Sequence, residues 1–193
     1  MFENILKGNR EFVEEDFRKN TAFYQTLAKG QNPQILWIGC SDSRVVPERI
    51  TASKPGDLFV HRNIGNIVPC NDWNFVTMVE YAIKHLKVRH IVICGHSDCG
   101  AMKALDKEGD DAYIPLWLNN AREAKERVDR KMGVVTSQEA MKQRKKMIEL
   151  ENIRLQTEHL KKYPIVARAL EKGDISVHGV YYDLESGQIS VVT

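Results

Sequence analysis

The chain has 193 residues, 42% of them hydrophobic, which is enough to bury one sizeable core, and no apolar run reaches membrane-spanning length. A formal net charge of +2 is too small to steer the protein toward nucleic acid or an anionic membrane, so neither is expected as a partner. The first residues, Met1 to Lys7, soon become charged and lack the continuous apolar stretch of a secretory signal, so a cytoplasmic location with reduced cysteines is expected.

In chain order, Ile5, Leu6, Phe12, Val13 and Phe17 form a loose helical stripe, predicting an N-terminal helical arm over about 1–28 that could pack on a partner subunit. Ile35 to Gly39 reads as a strand, and Leu58 to Arg62 as a second, announced by the turn signal Lys54-Pro55-Gly56-Asp57. Asn71 or Asp72 is placed to cap a helix on which Phe75, Val79, Ile83 and Leu86 recur at three- or four-residue steps. His90 to Cys94 is a third strand. A helical segment over about 100–172 follows, with Gly133 and Ser137 separating two helices. Its basic cluster Lys142 to Lys146 is balanced by Glu149, Glu151 and Glu158, which reads as a solvated face rather than a nucleic-acid patch. Ile175 to Tyr182 and Gln188 to Val192, joined by Glu185-Ser186-Gly187, read as an antiparallel hairpin. The expected architecture is one α/β domain spanning residues 1–193. Its central sheet is mainly parallel, flanked by helices, with an antiparallel C-terminal edge strand.

Chemistry concentrates just after two of the strands. Cys40 stands in Gly39-Cys40-Ser41-Asp42-Ser43-Arg44, and His96 and Cys99 stand in Gly95-His96-Ser97-Asp98-Cys99-Gly100. The ends of parallel strands are where open α/β sheets bind ligands. Two thiolates and one imidazole suit zinc, which is four-coordinate, so one position remains for water or a fourth side chain. Such a site is formally neutral and a weaker Lewis acid than one built from imidazoles, so neighbouring groups must manage charge. In an extended segment Asp42 and Arg44 would point the same way as Cys40. A bidentate Arg44–Asp42 pair would keep the fourth position open, whereas Asp42 on the metal would close it. Asp98 reads as the cap of the following helix. The other histidines, His61, His85, His90, His159 and His178, lack metal-ligand spacing, Cys94 lies inside the apolar run Ile91 to Cys94, and Cys70 reads as a packed or partly exposed thiol.

Three motifs in this order, Cys-Ser-Asp-Ser-Arg, Arg62-Asn63-Ile64-Gly65-Asn66 and His-x-x-Cys-Gly-Ala, resemble those of β-class carbonic anhydrases over most of the chain. The resemblance implies that Cys40, His96 and Cys99 hold Zn²⁺, that Asp42 and Arg44 form a catalytic dyad with Asp42 able to become the fourth ligand, and that the reaction is reversible hydration of carbon dioxide to bicarbonate. It further implies a substrate pocket of Gln31, Phe59 and Tyr81 in a cleft between subunits, hence a homodimer or a homotetramer. A subset of the family has a regulatory bicarbonate site, matched here by Trp37, Arg62 and Tyr182. Relatives with the same zinc site hydrolyse carbon disulfide or carbonyl sulfide, and a non-catalytic structural zinc module, with Asp42 permanently on the metal, is a further alternative. Taken singly, Phe59, Tyr81 and Trp37 also read as core packing, and Gln31 as a loop residue.

Overall fold

A computed structural model describes residues 1–107 and 110–193, which form two compact units, Met1–Asn32 and Pro33–Thr193. The first unit contains α1 (Phe2–Phe12), a π-helical turn at Val13–Phe17, and α2 (Thr21–Leu27). Tyr24 closes it, stacking on Phe17 with ring centroids 4.8 Å apart, meeting Phe12 edge-on at 5.5 Å and donating its hydroxyl to Asp16 at 2.8 Å. Phe2, Ile5 and Leu6 of α1 remain exposed.

The second unit runs β1 (Ile35–Cys40), α3 (Pro47–Ile50), β2 (Leu58–Asn63), α4 (Trp73–Tyr81), β3 (His90–His96), α5 (Gly100–Ala104), α6 (Ile114–Met132), α7 (Gln138–Lys162), α8 (Pro164–Glu171), β4 (Ser176–Tyr182) and β5 (Ile189–Val191). The five strands lie in the order β2-β1-β3-β4-β5. The first four are parallel and β5 is antiparallel to β4. β1 is a near-continuous apolar run because a parallel strand is covered on both faces. Asp72 caps α4, accepting from the Phe75 N–H at 2.8 Å, and the helix continues as a π-helical turn to Leu86 before Lys87 ends it in the left-handed region. Leu36, Ile38, Ile91 and Ile93 of the sheet pack against Phe75 and Val79 of α4 and Val166 of α8. Pro115 opens α6, Gly133 ends it with positive φ, and Ser137 caps α7 through the Ala140 N–H at 3.1 Å.

Two features of this arrangement position the site. β1 is followed in sequence by its neighbour on one side and then by β3 on the other, so the strand order reverses between β1 and β3, the place where parallel sheets open a crevice at their C-terminal ends. α7 also approaches the sheet closely because two strand positions facing it are glycines. A Cβ on Gly95 or on Gly179 would stand 2.7 Å from Ile153 of that helix. One expectation is corrected here. Glu149, read from sequence as part of a solvated face, is buried, together with Asn152 and Gln156. α7 is covered around most of its second half, and the apolar spacing does not reveal polar residues turned inward.

Candidate metal centre

Cys40 ends β1, His96 ends β3, and Cys99 precedes the first turn of α5. Adjacent parallel strands bring the first two together. The third is folded back by Asp98, whose φ of +61° lies in the left-handed region that Asp tolerates better than most residues. The three donor atoms lie within 4.8 Å of one another, and all three residues are buried. His96 Nδ1 lies 2.9 Å from the Ser97 carbonyl oxygen, to which it donates, and this leaves the lone pair on Nε2. Nε2 is buried and has no hydrogen-bond partner. A buried polar atom left unpaired is costly, and this one faces two sulfurs at distances from which all three can converge on one cation. The residues therefore fit zinc by donor type, number and enclosure.

The charge balance agrees. Hydrogen bonding from Cys99 is the main cause that pushes Cys40 far below the ordinary thiol range, against burial and with help from His96 and the Gly65 amide. Cys99 is correspondingly pushed up by the Cys40 sulfur and by burial. A divalent cation would take the place of the thiol protons. Burial opposes charge on His96, but the Cys40 sulfur and the Ser97 carbonyl outweigh it and raise its pKa. Cys94, beside the site, is an ordinary buried thiol pushed up to about 12 by burial.

Asp42 and Arg44 lie in a turn and not in the extended segment expected from sequence. The Val45 N–H donates to the Asp42 carbonyl at 3.0 Å, and the Arg44 N–H to Asp42 Oδ1 at 3.0 Å. The turn still brings the two side chains together. Arg44 Nε donates to Oδ1 at 2.9 Å and Nη2 to Oδ2 at 2.7 Å, a bidentate pair that holds the Asp42 carboxyl far below the usual carboxylate range. Asp42 Oδ2 stands 3.9 Å from His96 Nε2. Asp98 does not cap α5. Its carboxylate pairs with Lys103 and accepts from Arg44 Nη1 at 3.3 Å, so the guanidinium is shared between two acids.

The other expected site residues separate into groups. Arg62 donates through Nε to the Cys40 carbonyl at 2.9 Å and through Nη2 to the Asp42 carbonyl at 2.6 Å, and so pins the turn that carries Asp42. Trp37 lies in a cluster with Cys94 and Val180, against which Tyr182 packs, and its buried Nε1 has no partner. Phe59 and Tyr81 meet with ring centroids 6.0 Å apart. Phe59 pairs in register with Leu36, near the opposite end of β1 from Cys40, so within one chain these rings stand away from the metal ligands. Gln31 is exposed in the N-terminal unit. Residues that sequence reading missed are Glu149, Asn152 and Trp117, which bond to the backbone around the ligands. The signal of Glu149 and Asn152 in the sequence is polar character inside a charged helical segment, which many solvated helices share, and Trp117 reads as ordinary apolar packing.

Comparison with known proteins gives a consistent picture. A family model described as carbonic anhydrase matches residues 35–189. A carbonic anhydrase of Pseudomonas aeruginosa is 39% identical over 98% of this chain and 86% of its own length, and carbonic anhydrase 1 of Escherichia coli O157:H7 is 40% identical over 96% and 85%. Among solved structures, a tetrameric β-carbonic anhydrase from the ascomycete Sordaria macrospora superposes with a TM-score of 0.91 at 36% identity, covering 98% of this chain and 95% of that one. The Coccomyxa β-carbonic anhydrase, solved with acetazolamide, superposes with a TM-score of 0.89 at 32% identity, over 99% and 86%.

Proposed function

The chain belongs to the carbonic anhydrase family, and from that premise we propose that it is a zinc lyase interconverting carbon dioxide and bicarbonate. The observation that carries the proposal is the buried, unpartnered Nε2 of His96 beside two thiol ligands, with a carboxylate pinned next to it. Zinc bound by Cys40, His96 and Cys99 would supply the Lewis acid that brings the pKa of water from about 15.7 toward roughly 7. Asp42 then orients the attacking water by accepting one of its protons in a hydrogen bond. Arg44 keeps that carboxylate ionised and keeps it from closing the fourth position. Gln31 stabilises the charge that develops on the carbon dioxide oxygens, and Phe59 and Tyr81 exclude water from the small pocket. Because the two rings stand away from the ligands of their own chain, they serve the site of a second copy, which makes the working unit a homodimer or a homotetramer. The location is cytoplasmic, in keeping with four free cysteines, and among the described residues no helix is long and apolar enough to cross a membrane.

Regulation by bicarbonate at Trp37, Arg62 and Tyr182 gains support from the unpartnered Trp37 Nε1, a donor free to bind an anion. An anion that recruited Arg62 would break its two bonds to the Cys40 and Asp42 carbonyls and release the turn that holds Asp42 off the metal.

Metal analysis with stopped-flow carbon dioxide hydration tests the proposal. One zinc per chain and turnover that a chelator abolishes are expected. Zinc-loaded protein inert toward carbon dioxide but active on carbon disulfide or carbonyl sulfide would reassign the substrate, and inertness toward all three gases would leave a structural module.

A further inference from the structure

α7 turns Glu149, Asn152 and Gln156 into the protein interior, and all three are buried. Their spacing of three and four residues places them on one helix face. Glu149 accepts the Cys99 N–H at Oε1, 3.1 Å, and the Tyr181 hydroxyl at Oε2, 2.8 Å. Asn152 donates to the Gly65 carbonyl at 3.1 Å and accepts from Gln156 at 2.8 Å. Gln156 in turn accepts the Val68 N–H at 2.8 Å and donates to the Asn120 carbonyl at 3.0 Å. The Gly65 backbone that Asn152 holds lies two residues after Asn63, the register partner of Cys40, and a Cβ on Gly65 would stand 2.8 Å from Ala101, two residues after Cys99. The neighbouring carbonyl, on Ile64, accepts Trp117 Nε1 at 2.8 Å, so this stretch of backbone is held from α6 as well as from α7.

A buried carboxyl costs free energy that an aliphatic side chain of similar volume would not, so what Glu149 holds is informative. It holds the backbone of a ligand. We infer that Glu149 and Asn152 are positioning residues that set the separation of the two cysteine ligands, Glu149 by gripping the Cys99 amide and Asn152 by fixing the Gly65 backbone that lies between the segments carrying Cys40 and Cys99. The inference rests on the zinc site proposed above. It makes α7 a rigid template. Ile153, wedged against Gly95 and Gly179, fixes the distance of the helix from β3 and β4, and the polar residues on either side of Ile153 hand that distance to the two ligand loops. Neither residue touches substrate or carries a reacting proton.

The test compares two substitutions of similar volume. Glu149→Met removes both acceptors, whereas Glu149→Gln keeps an acceptor oxygen for the Cys99 N–H. Partners that orient ligands from outside the coordination sphere contribute about 10–100-fold to metal affinity. By chelator competition, Glu149→Met should therefore weaken zinc binding by about that factor, and its cobalt-substituted form should show altered d–d and thiolate charge-transfer bands. Glu149→Gln should restore most of the affinity and the wild-type spectrum. If Glu149→Met does not fold, Asn152→Asp carries the test. It keeps the acceptor for Gln156 but loses the donor to Gly65, and the same direction of change is expected. Unchanged zinc affinity and an unchanged cobalt spectrum, with a lower unfolding temperature of the metal-free protein, would make Glu149 a packing residue and overturn the inference while leaving the proposed function intact. Wild-type protein that binds zinc but does not hydrate carbon dioxide would overturn the function alone, and wild-type protein that binds no zinc would overturn both.

Discussion

At the N-terminal ends of β3 and β4, His90, Ser176 and His178 meet much as Cys40, His96 and Cys99 meet at the opposite ends of β1 and β3. Two histidines and a serine look as promising as two cysteines and a histidine. Their polar atoms, however, satisfy one another. His90 Nδ1 lies 2.7 Å from Ser176 Oγ, which lies 2.8 Å from His178 Nε2, so the hydroxyl donates to one ring and accepts from the other, at an edge that leaves His90 exposed. At the other edge the polar atom that matters is buried and unpaired, and the groups around it are held from outside by Arg44, Arg62 and Glu149. The difference teaches that a site is marked by a buried polar atom left without a partner, as His96 Nε2 is, more than by the residue types gathered there.

The comparison breaks most visibly at the ligands. Cys40→Ser or His96→Ala should lower zinc from about one per chain to below about a tenth, measured by metal analysis, with turnover lost in parallel. Retention of zinc in either variant would put the metal elsewhere.

Asp42→Asn should keep zinc and lose about 10²-fold or more in turnover by stopped flow. The pH dependence has a definite sign. Arg44 depresses the folded pKa of Asp42 below its unfolded value of about 3.9. The pair's stabilisation is therefore complete above about pH 4 and lost only as pH falls through the depressed value. A fall in rate between about pH 8 and 6 cannot come from protonating Asp42. If it comes from Asp42 leaving Arg44 for the metal, the added ligand should offset part of the loss of zinc affinity that thiol protonation causes, so affinity should fall more steeply with pH in Asp42→Ala than in the wild type.

Gly95→Ala sharpens the comparison by loosening the template without touching a ligand. The added methyl would meet Ile153 at 2.7 Å, so a loss of about 1–3 kcal/mol in unfolding free energy is expected by chemical denaturation. A fully stable variant would mean that α7 can shift at no cost.

The smallest effect belongs to the opposite edge. His90→Ala combined with His178→Ala should leave zinc content unchanged and turnover within about twofold, with at most about 1 kcal/mol of stability lost. Loss of metal there would erase the distinction between the two edges.

The ligand edge was partly legible in the sequence, and the His90–Ser176–His178 edge was not. The apolar runs of β1 and β3 and the motifs after them located Cys40, His96 and Cys99, because short-range spacing and strand ends are local properties. The Gly133 and Ser137 boundary and the C-terminal hairpin were local in the same way. Contacts reaching across the chain were not legible. Arg62 as the pin of the Asp42 turn depends on β2 pairing beside β1, and Glu149 as the acceptor for Cys99 depends on which side of α7 faces the sheet, where Gly95 and Gly179 admit Ile153. Asp98 was misread as a cap because local spacing favours that role, while long-range charges from Arg44 and Lys103 determine its actual one.

The absorption spectrum of the cobalt-substituted protein reports on whether Cys40, His96 and Cys99 converge on one cation. Tetrahedral cobalt held by two sulfurs and one imidazole predicts intense d–d bands with thiolate charge transfer at one cobalt per chain. A weak octahedral spectrum without charge transfer would contradict it.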